Sequence, residues 1–329
     1  MPRLSEIIGH REIVQTLKNA VLRDKVAHAY LLMGPEGLGK KAVARALAGA
    51  LLCETPREGD ACGHCRSCGQ NQGGNHPDLH ILQPAGTTLK IEQIRELQKQ
   101  VQFKPYQGQR HVFILEKVDT MTQEAANSFL KTLEEPSSQT VFILTTDQPY
   151  ALLPTILSRC QQYQFRPLRQ QEVVEGLVKY CDLDREAALK LAPLCGGSLG
   201  RGMLLAKGEA WPLREKALEL SQRLLQMDEI EALNQAAELA EDRGQAAECL
   251  AILLLWLRDL LLYHYTKNER LLINQDRLET LLDQAQRYEP DRLMAVIEEI
   301  KQARERILAN ANTRLTLEAM MLKIHSYGG

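Results

Sequence analysis

A glycine-rich segment that ends in a lysine is the first part of the sequence that could do chemistry. It begins at Gly34, contains Gly37 and Gly39, and ends at Lys40, in the spacing of a phosphate-binding loop. Glycines at this spacing let backbone amides converge on phosphate oxygens, and the start of the following helix adds partial positive charge. Lys40 would reach the outer phosphates. The segment follows an apolar run and opens a helical pattern, so a phosphate loop is favoured over an incidental glycine-rich turn.

Two positions depart from the pattern of an enzyme that hydrolyses ATP. The residue after the loop lysine, normally Ser or Thr with a hydroxyl on Mg²⁺, is Lys41. The second metal-binding element should end a later apolar strand as Asp-Glu, and the sequence has Glu116 and Lys117 there. Glu116 could approximate the first acid, but Lys117 replaces the acid that would polarise the attacking water. The loop is therefore compatible with ATP binding, without hydrolysis.

Four cysteines within sixteen residues form a second candidate site. Cys53, Cys62, Cys65 and Cys68 include two C-x2-C spacings, which are typical of a tetrahedral, structural Zn²⁺ site. His64 is an alternative ligand with poorer spacing. Redox catalysis by a C-x2-C pair is the competing interpretation, but it requires a thioredoxin-like setting that the sequence lacks. The pattern has no open ligand position, so we expect zinc without catalysis.

Several motifs together resemble a known family. The loop at 34–40, the four cysteines, Leu-Lys-Thr-Leu-Glu-Glu-Pro at 130–136 and Ser-Arg-Cys at 158–160 occur in the order seen in bacterial AAA+ clamp-loader subunits. Within that group the sequence resembles the delta-prime family of DNA polymerase III. The resemblance covers residues 1 to about 207, and the remainder is similar mainly in length and helical character. The hydrolysing gamma/tau family is the alternative, and Lys41 and Lys117 count against it.

The resemblance implies a role in an assembly. Such a chain is a non-motor member of a five-subunit ring with gamma/tau and delta subunits, which places the sliding clamp on primed DNA within the polymerase holoenzyme, a nucleotidyltransferase complex. Arg159 would act in trans as an arginine finger on a neighbour's nucleotide. Thr145 matches the family's first nucleotide sensor, and Arg201 the second. The alternatives are that Arg159 caps a helix or pairs on its own surface, that Arg201 only starts a helix, and that Glu134 pairs with Lys131 on its helix.

The pattern of apolar residues predicts the elements that would position these sites. Apolar runs at 29–33, 111–115 and 141–145 indicate buried strands. Helix-period segments lie between them, at 41–52, 91–101 and 123–134, which predicts a parallel sheet with helices on both faces. The segment 62–84 is rich in Gly, Asn, Gln and Cys and is expected to be an insertion with little regular structure. Beyond 165 only helices are indicated.

The resulting expectation is an α/β domain followed by two helical parts. We predict an AAA+ phosphate-loop domain at 1–165 with a zinc-binding insertion, a helical lid domain at 166–207, and an all-α oligomerisation (collar) domain at 208–329.

Composition excludes several classes of protein. The 329 residues are 44% hydrophobic and 25% charged, as in a globular protein with a core, and the net charge of −2 argues against coating nucleic acid through bulk charge. The longest apolar stretch, 250–257, is far below the roughly twenty residues that span a bilayer. The first residues are too charged for a signal peptide. We therefore expect a cytoplasmic protein without membrane contact.

Overall fold

The protein forms two compact units. The computed structural model describes residues 2–136, 139–208 and 211–327. The first unit comprises Met1–Arg185 and Cys195–Gly200, and the second comprises Glu186–Leu194 and Arg201–Gly329. The finer division into three domains stays a prediction.

A parallel sheet forms the centre of the first unit. Its strands are β1 (Ala29–Met33), β2 (Leu79–Leu82), β3 (His111–Leu115), β4 (Thr140–Thr146) and β5 (Gln161–Gln164). They lie in the order β2-β3-β4-β1-β5, and every pairing is parallel. Leu31 of β1 aligns with Leu144 of β4, which aligns with Leu115 of β3. The segments that follow these three strands therefore emerge side by side at one edge of the sheet.

Helices cover both faces of this sheet, as the sequence predicted. Side chains alternate across a strand, so Tyr30 and Leu32 join the core beside α2, whereas Leu31 faces the opposite way, in line with the core of α4 and α5. The helices of this unit are α1 (Arg11–Leu22), α2 (Lys40–Leu52), α3 (Arg66–Gly73), α4 (Ile91–Val101), α5 (Gln123–Glu134), α6 (Pro154–Leu157) and α7 (Gln170–Cys181). With the phosphate loop after β1, this is the predicted α/β fold class, a parallel sheet with helices on both faces.

The expectation of little regular structure at 62–84 was wrong, because α3 and β2 both lie in it. β5 was also not predicted. Each of these strands is at an edge of the sheet and pairs with a single neighbour, β2 with β3 and β5 with β1. The residues of β2 are half-buried and three of the four in β5 are exposed, whereas those of the central strands β3 and β4 are buried throughout. The apolar pattern that identifies a central strand is therefore weak here.

The described residues of the second unit are helical and contain no strand, as predicted. Its core surrounds the buried Trp256, whose indole donates a hydrogen bond of 2.7 Å to Gln284 Oε1. None of the helices formed by the described residues is both long and apolar enough to cross a membrane. The helices from Arg185 onward are α8 (Arg185–Leu191), α9 (Leu199–Ala206), α10 (Trp211–Arg223), α11 (Glu229–Leu239), α12 (Arg243–Thr266), α13 (Leu278–Arg287), α14 (Pro290–Leu308) and α15 (Thr313–Ser326).

Candidate functional site

The phosphate loop lies at the carboxyl edge of the sheet, between β1 and α2. Gly34 follows the last residue of β1, and its amide donates to Thr146 O at 3.2 Å. The φ angle of Gly34 is 140°, and a Cβ at this position would lie 2.6 Å from Phe165 O. Only glycine fits between the strand ends here, both for conformation and for space. Gly39, with φ of 89°, then starts α2 at Lys40.

Lys40 is folded back onto its own loop. Its ammonium is almost fully buried and donates to Gly34 O at 2.5 Å and to Pro35 O at 2.6 Å. It also forms an ion pair of 2.7 Å with Asp147 Oδ1, just beyond the end of β4. A lysine ammonium has three donors, and these contacts use all three. A phosphate that reached Lys40 would therefore have to displace a carboxylate and two carbonyl oxygens.

Lys41 lies against the acid that follows β3. Its ammonium is 2.6 Å from Glu116 Oε2, and Glu116 is only 1% exposed. Arg45, one turn further along α2, lies 3.7 Å from Glu116 Oε1, and Gln83 donates to Oε2 at 3.1 Å. In active phosphate-loop enzymes a loop hydroxyl and an acid at this strand end hold Mg²⁺ between them. Here Glu116 has the ammonium group of Lys41 as its nearest cation.

Lys117 is held in a left-handed conformation, with φ of 53°, over the loop. Its ammonium is 3.2 Å from Glu36 Oε1, and its amide donates to Thr145 Oγ1 at 3.2 Å. Burial by itself would lower the pKa of Lys117. The nearby carboxylates outweigh this effect and raise the pKa; they belong to Glu36, Asp147 and Asp119. The position that would carry a water-polarising acid therefore carries a stable cation.

Two further contacts satisfy carbonyl groups of the loop. The ring Nε2 of His10 lies 2.9 Å from Leu38 O, and the Gly200 amide donates to Gly37 O at 2.9 Å. Gly200 approaches so closely that a Cβ on it would lie 2.7 Å from Gly37 Cα. Burial lowers the pKa of His10, which keeps the ring neutral. The short segment that ends at Gly200, which belongs to the first unit, thus packs directly on the loop.

The four cysteines converge at the start of α3, as their spacing predicted. Their Sγ atoms all lie within 4.8 Å of one another. Three of the separations are Cys53–Cys65 at 3.9 Å, Cys62–Cys68 at 3.9 Å and Cys53–Cys68 at 3.7 Å. A tetrahedral Zn²⁺ with Zn–S bonds of about 2.3 Å requires Sγ atoms about 3.8 Å apart. The donor set therefore fits zinc, and the separations exceed a disulfide bond of about 2.05 Å.

Backbone amides donate hydrogen bonds to three of the four cysteine sulfurs. The amides of Cys62, Cys65 and Cys68 donate to the preceding cysteine sulfurs at 3.3–3.4 Å. Burial by itself would raise the pKa of Cys62. Hydrogen bonds, including those from the His64 and Cys65 amides, outweigh this effect and lower the pKa to about 5. Burial raises the pKa of Cys53 and Cys68. A bound cation would favour all four thiolates together. His64 lies outside the cluster, with its Nδ1 on Cys62 O at 3.0 Å.

Arg159 lies just after α6 and is held by neighbours on its own chain. Its Nη1 donates to Thr155 O at 3.1 Å and to Ser158 Oγ at 3.4 Å. Its Nη2 donates to Glu134 Oε1 at 2.7 Å, at the end of α5. The guanidinium side chain is 34% exposed. The structure thus joins the two motifs at 130–136 and 158–160 and leaves the guanidinium accessible from outside.

Comparisons with known proteins show the family to which this chain belongs. The family model described as "DNA polymerase III, delta subunit" matches residues 9–169, and the model of its C-terminal region matches residues 209–326. DNA polymerase III subunit delta' of Bacillus subtilis is 32% identical over 95% of both chains. The subunit delta' of Pseudomonas aeruginosa is 35% identical over 93% of this chain and 94% of that protein. The chain belongs to the DNA polymerase III delta' family. The match to subunit tau of Bacillus subtilis is weaker, at 26% identity over 98% of this chain and 61% of that protein.

The structure gives specific contacts to the two residues predicted as nucleotide sensors. Thr145 is buried near the end of β4, where its hydroxyl oxygen accepts the hydrogen bond from the Lys117 amide. Arg201, in α9 of the second unit, forms a two-point ion pair with Glu248, with Nε–Oε1 at 2.5 Å and Nη2–Oε2 at 2.8 Å. Roles for Thr145 and Arg201 as nucleotide sensors stay predictions.

The structure also pairs three acidic residues with partners that sequence reasoning did not identify, and for Glu134 that reasoning had offered only Lys131. Asp147 pairs with Lys40, Glu36 pairs with Lys117, and Glu134 pairs with Arg159. Each acid is adjacent to a motif, but nothing in its spacing names its partner. The one available signal was the position of Glu134, at the carboxyl end of a helix where an acid is unfavourable.

Proposed function

We propose that this chain is a non-motor subunit of the DNA polymerase III clamp loader that supplies Arg159 to the nucleotide of a neighbouring ATPase subunit. Its partners would be gamma/tau and delta subunits in a hetero-pentameric ring. Through that ring it would help to load the sliding clamp onto primed DNA. Family membership supports the clamp-loader role, and the ion pairs around its own phosphate loop support the non-motor role.

The pairing of Lys41 with Glu116 is the observation that carries the proposal. Hydrolysis at a phosphate loop needs Mg²⁺ and a residue that orients the attacking water. Lys41 is a cation in contact with the acid that would hold the metal, and Lys117 is a cation where the water-orienting acid would be. A nucleotide accepted by this loop would therefore not be hydrolysed. The chain would then act as a structural member of the ring and through Arg159 on the nucleotide of a neighbouring subunit.

The guanidinium of Arg159 has the chemistry for that role in trans. Its planar donors can pair with phosphate oxygens that gain charge while a phosphoryl group is transferred. An arginine finger contributes about a thousandfold or more to the rate of the site that it completes. Arg159 is part-exposed on a short helix end, rather than buried in its own unit. The zinc that fits the four cysteines would hold the insertion in place and supply no chemistry to this step.

The test compares ATP hydrolysis by the isolated chain with that of reconstituted clamp loaders. We expect no turnover by the isolated chain in the ordinary enzyme range of about 1–1000 per second. A loader that contains Arg159→Ala should assemble normally but show a strongly reduced DNA-stimulated ATPase rate. Arg159→Lys should restore little of the rate, because an ammonium lacks the planar fork.

The matched control is Arg166→Ala, an exposed arginine seven positions further along the chain. This variant should leave the ATPase rate of the loader unchanged. A loader with Arg159→Ala that hydrolyses ATP and loads clamps at the wild-type rate would contradict the role in trans. Efficient turnover by the isolated chain would instead favour the gamma/tau alternative.

A further inference from the structure

The pair of Arg159 and Glu134 joins two helix ends of the first unit. Glu134 is the last residue of α5, and Arg159 follows α6 by two positions. The carboxylate accepts from Nη2 at 2.7 Å, while Nη1 donates to Thr155 O and Ser158 Oγ. Contacts on both terminal nitrogens determine the direction in which the guanidinium plane faces.

The position of Glu134 is unfavourable for the helix that carries it. The carboxyl end of a helix bears partial negative charge, so an acid in the last turn destabilises the helix and a base stabilises it. Lys131 in the same turn has the favourable sign, and Glu134 has the unfavourable one. Glu134 therefore does not serve the stability of α5. Its only hydrogen-bonding partner among the described side chains is Arg159.

We propose that Glu134 is a positioning residue for Arg159, holding the guanidinium in the orientation from which it reaches a partner's nucleotide. The inference rests on the proposed role of Arg159 in trans. A long arginine side chain loses many rotamers when it binds a phosphate. Glu134 restricts those rotamers in advance. The pair is 34% and 48% exposed, so it is weak enough for a phosphate to add its own contacts to the guanidinium.

The effect should fall on the chemical step and not on nucleotide affinity. A finger that stabilises the transition state changes kcat, whereas a contact made equally with bound ATP changes KM. In a reconstituted loader, Glu134→Gln keeps the size of the side chain and removes its charge. Because exposed pairs are weak, we expect kcat to fall roughly two- to fivefold with KM unchanged. Glu134→Asp keeps the charge on a shorter side chain, so its kcat should lie between the values for wild type and Glu134→Gln.

The matched control is Glu135→Gln, the same change of charge at the adjacent exposed residue. This variant should keep the wild-type kcat. A second arm places Glu134→Gln in the Arg159→Ala background, where it should cause no further loss, because the group that it positions is gone. Assembly of every loader is checked by size-exclusion chromatography before the kinetics.

The outcomes separate this inference from the function on which it rests. If Arg159→Ala leaves the rate at the wild-type value, the role in trans is wrong. If Arg159→Ala is slow but Glu134→Gln matches wild type, the role in trans holds and the positioning role of Glu134 is wrong. An equal fall in rate from Glu134→Gln with and without Arg159 would show that Glu134 acts through other contacts, and would also overturn the inference.

Discussion

At the scale of single residues, the phosphate loop is notable for the way its lysines are neutralised. Lys40 pairs with Asp147, while Lys41 pairs with Glu116. Glu116 is buried, and a buried carboxylate is tolerated only when a cation and hydrogen bonds compensate for its lost hydration. In an ATPase that cation arrives with the nucleotide. In this chain it is part of the protein, so the site is complete before any nucleotide binds.

Removing the charge of Lys41 should therefore destabilise the first unit. Lys41→Met keeps the apolar stem but leaves Glu116 with the more distant Arg45 as its remaining cation. We expect the free energy of unfolding in urea to fall by about 1–2 kcal/mol, since half of the lysine is exposed and Arg45 still compensates in part. The double variant Lys41→Met/Glu116→Gln should recover most of the loss.

The control for this pair is Lys25→Met, at an exposed lysine of the same unit. It should leave the free energy of unfolding unchanged. If Lys41→Met is as stable as the control, the contact with Glu116 contributes nothing to stability. Lys41 would then not be the cation that compensates the buried carboxylate.

At the scale of elements, the cysteine cluster connects two helices through the insertion. Cys53 caps the carboxyl end of α2, whose amino end carries Lys40 and Lys41. Cys65 caps the amino end of α3, and its sulfur accepts the Cys68 amide. A metal bound by these sulfurs would tie α3 to the end of the helix that begins at the loop. The bound metal would thereby attach the insertion to α2 of the α/β fold through the four cysteine sulfurs.

We expect one Zn²⁺ per chain, bound by the four clustered cysteines. The double variant Cys65→Ser/Cys68→Ser removes two thiolates and should lose the metal, since two remaining sulfurs cannot complete a tetrahedral site. Elemental analysis of protein purified without chelators measures the zinc content directly. Cys181→Ser, outside the cluster, is the control and should keep a full equivalent. Retention of stoichiometric zinc by the double variant would show that these cysteines are not the ligands.

At the scale of the whole molecule, each compact unit contains a buried aspartate that accepts hydrogen bonds from the backbone of a loop. Asp78 of the first unit accepts hydrogen bonds from three successive amides, at 2.5–2.9 Å, in the loop before β3. Asp259 of the second unit accepts from the amides of Ile273 and Asn274, at 2.7 and 2.8 Å. Both carboxylates are fully buried. Each therefore stabilises a loop of its own unit.

We expect substitution of these aspartates to loosen one unit at a time. Asp78→Ala and Asp259→Ala each leave backbone amides without their acceptor. The cost is about 1–3 kcal/mol for a buried amide such as that of Asn274, and less for the amides that Asp78 binds, which belong to exposed residues. Hydrogen exchange followed by mass spectrometry should show faster exchange in the first unit for Asp78→Ala and in the second for Asp259→Ala. Equal acceleration along the whole chain in both variants would indicate a single cooperative unit instead.

Much of this protein could be predicted from its sequence because the relevant signals are local. The phosphate loop is a short run between a strand and a helix, and the positive φ angles of Gly34, Gly37 and Gly39 favour glycine within the run itself. The cysteine spacing places four sulfurs together for the same reason. Central strands such as β3 are visible as continuous buried apolar runs, and regular helices such as α5 are visible through their periodic apolar side chains.

The sequence alone did not determine which residues far apart in the chain are in contact. Lys40 meets Asp147, and Arg159 meets Glu134, only because the strand order places β4 between β1 and β3 and brings α5 and α6 together. Charge alone allows many partners, since an acid lies near almost every motif. The edge strands β2 and β5 were missed because most of their side chains are not fully buried, so the sequence there need not carry the apolar run of a central strand. The local pattern thus determined which elements form, and tertiary packing decided which charges meet.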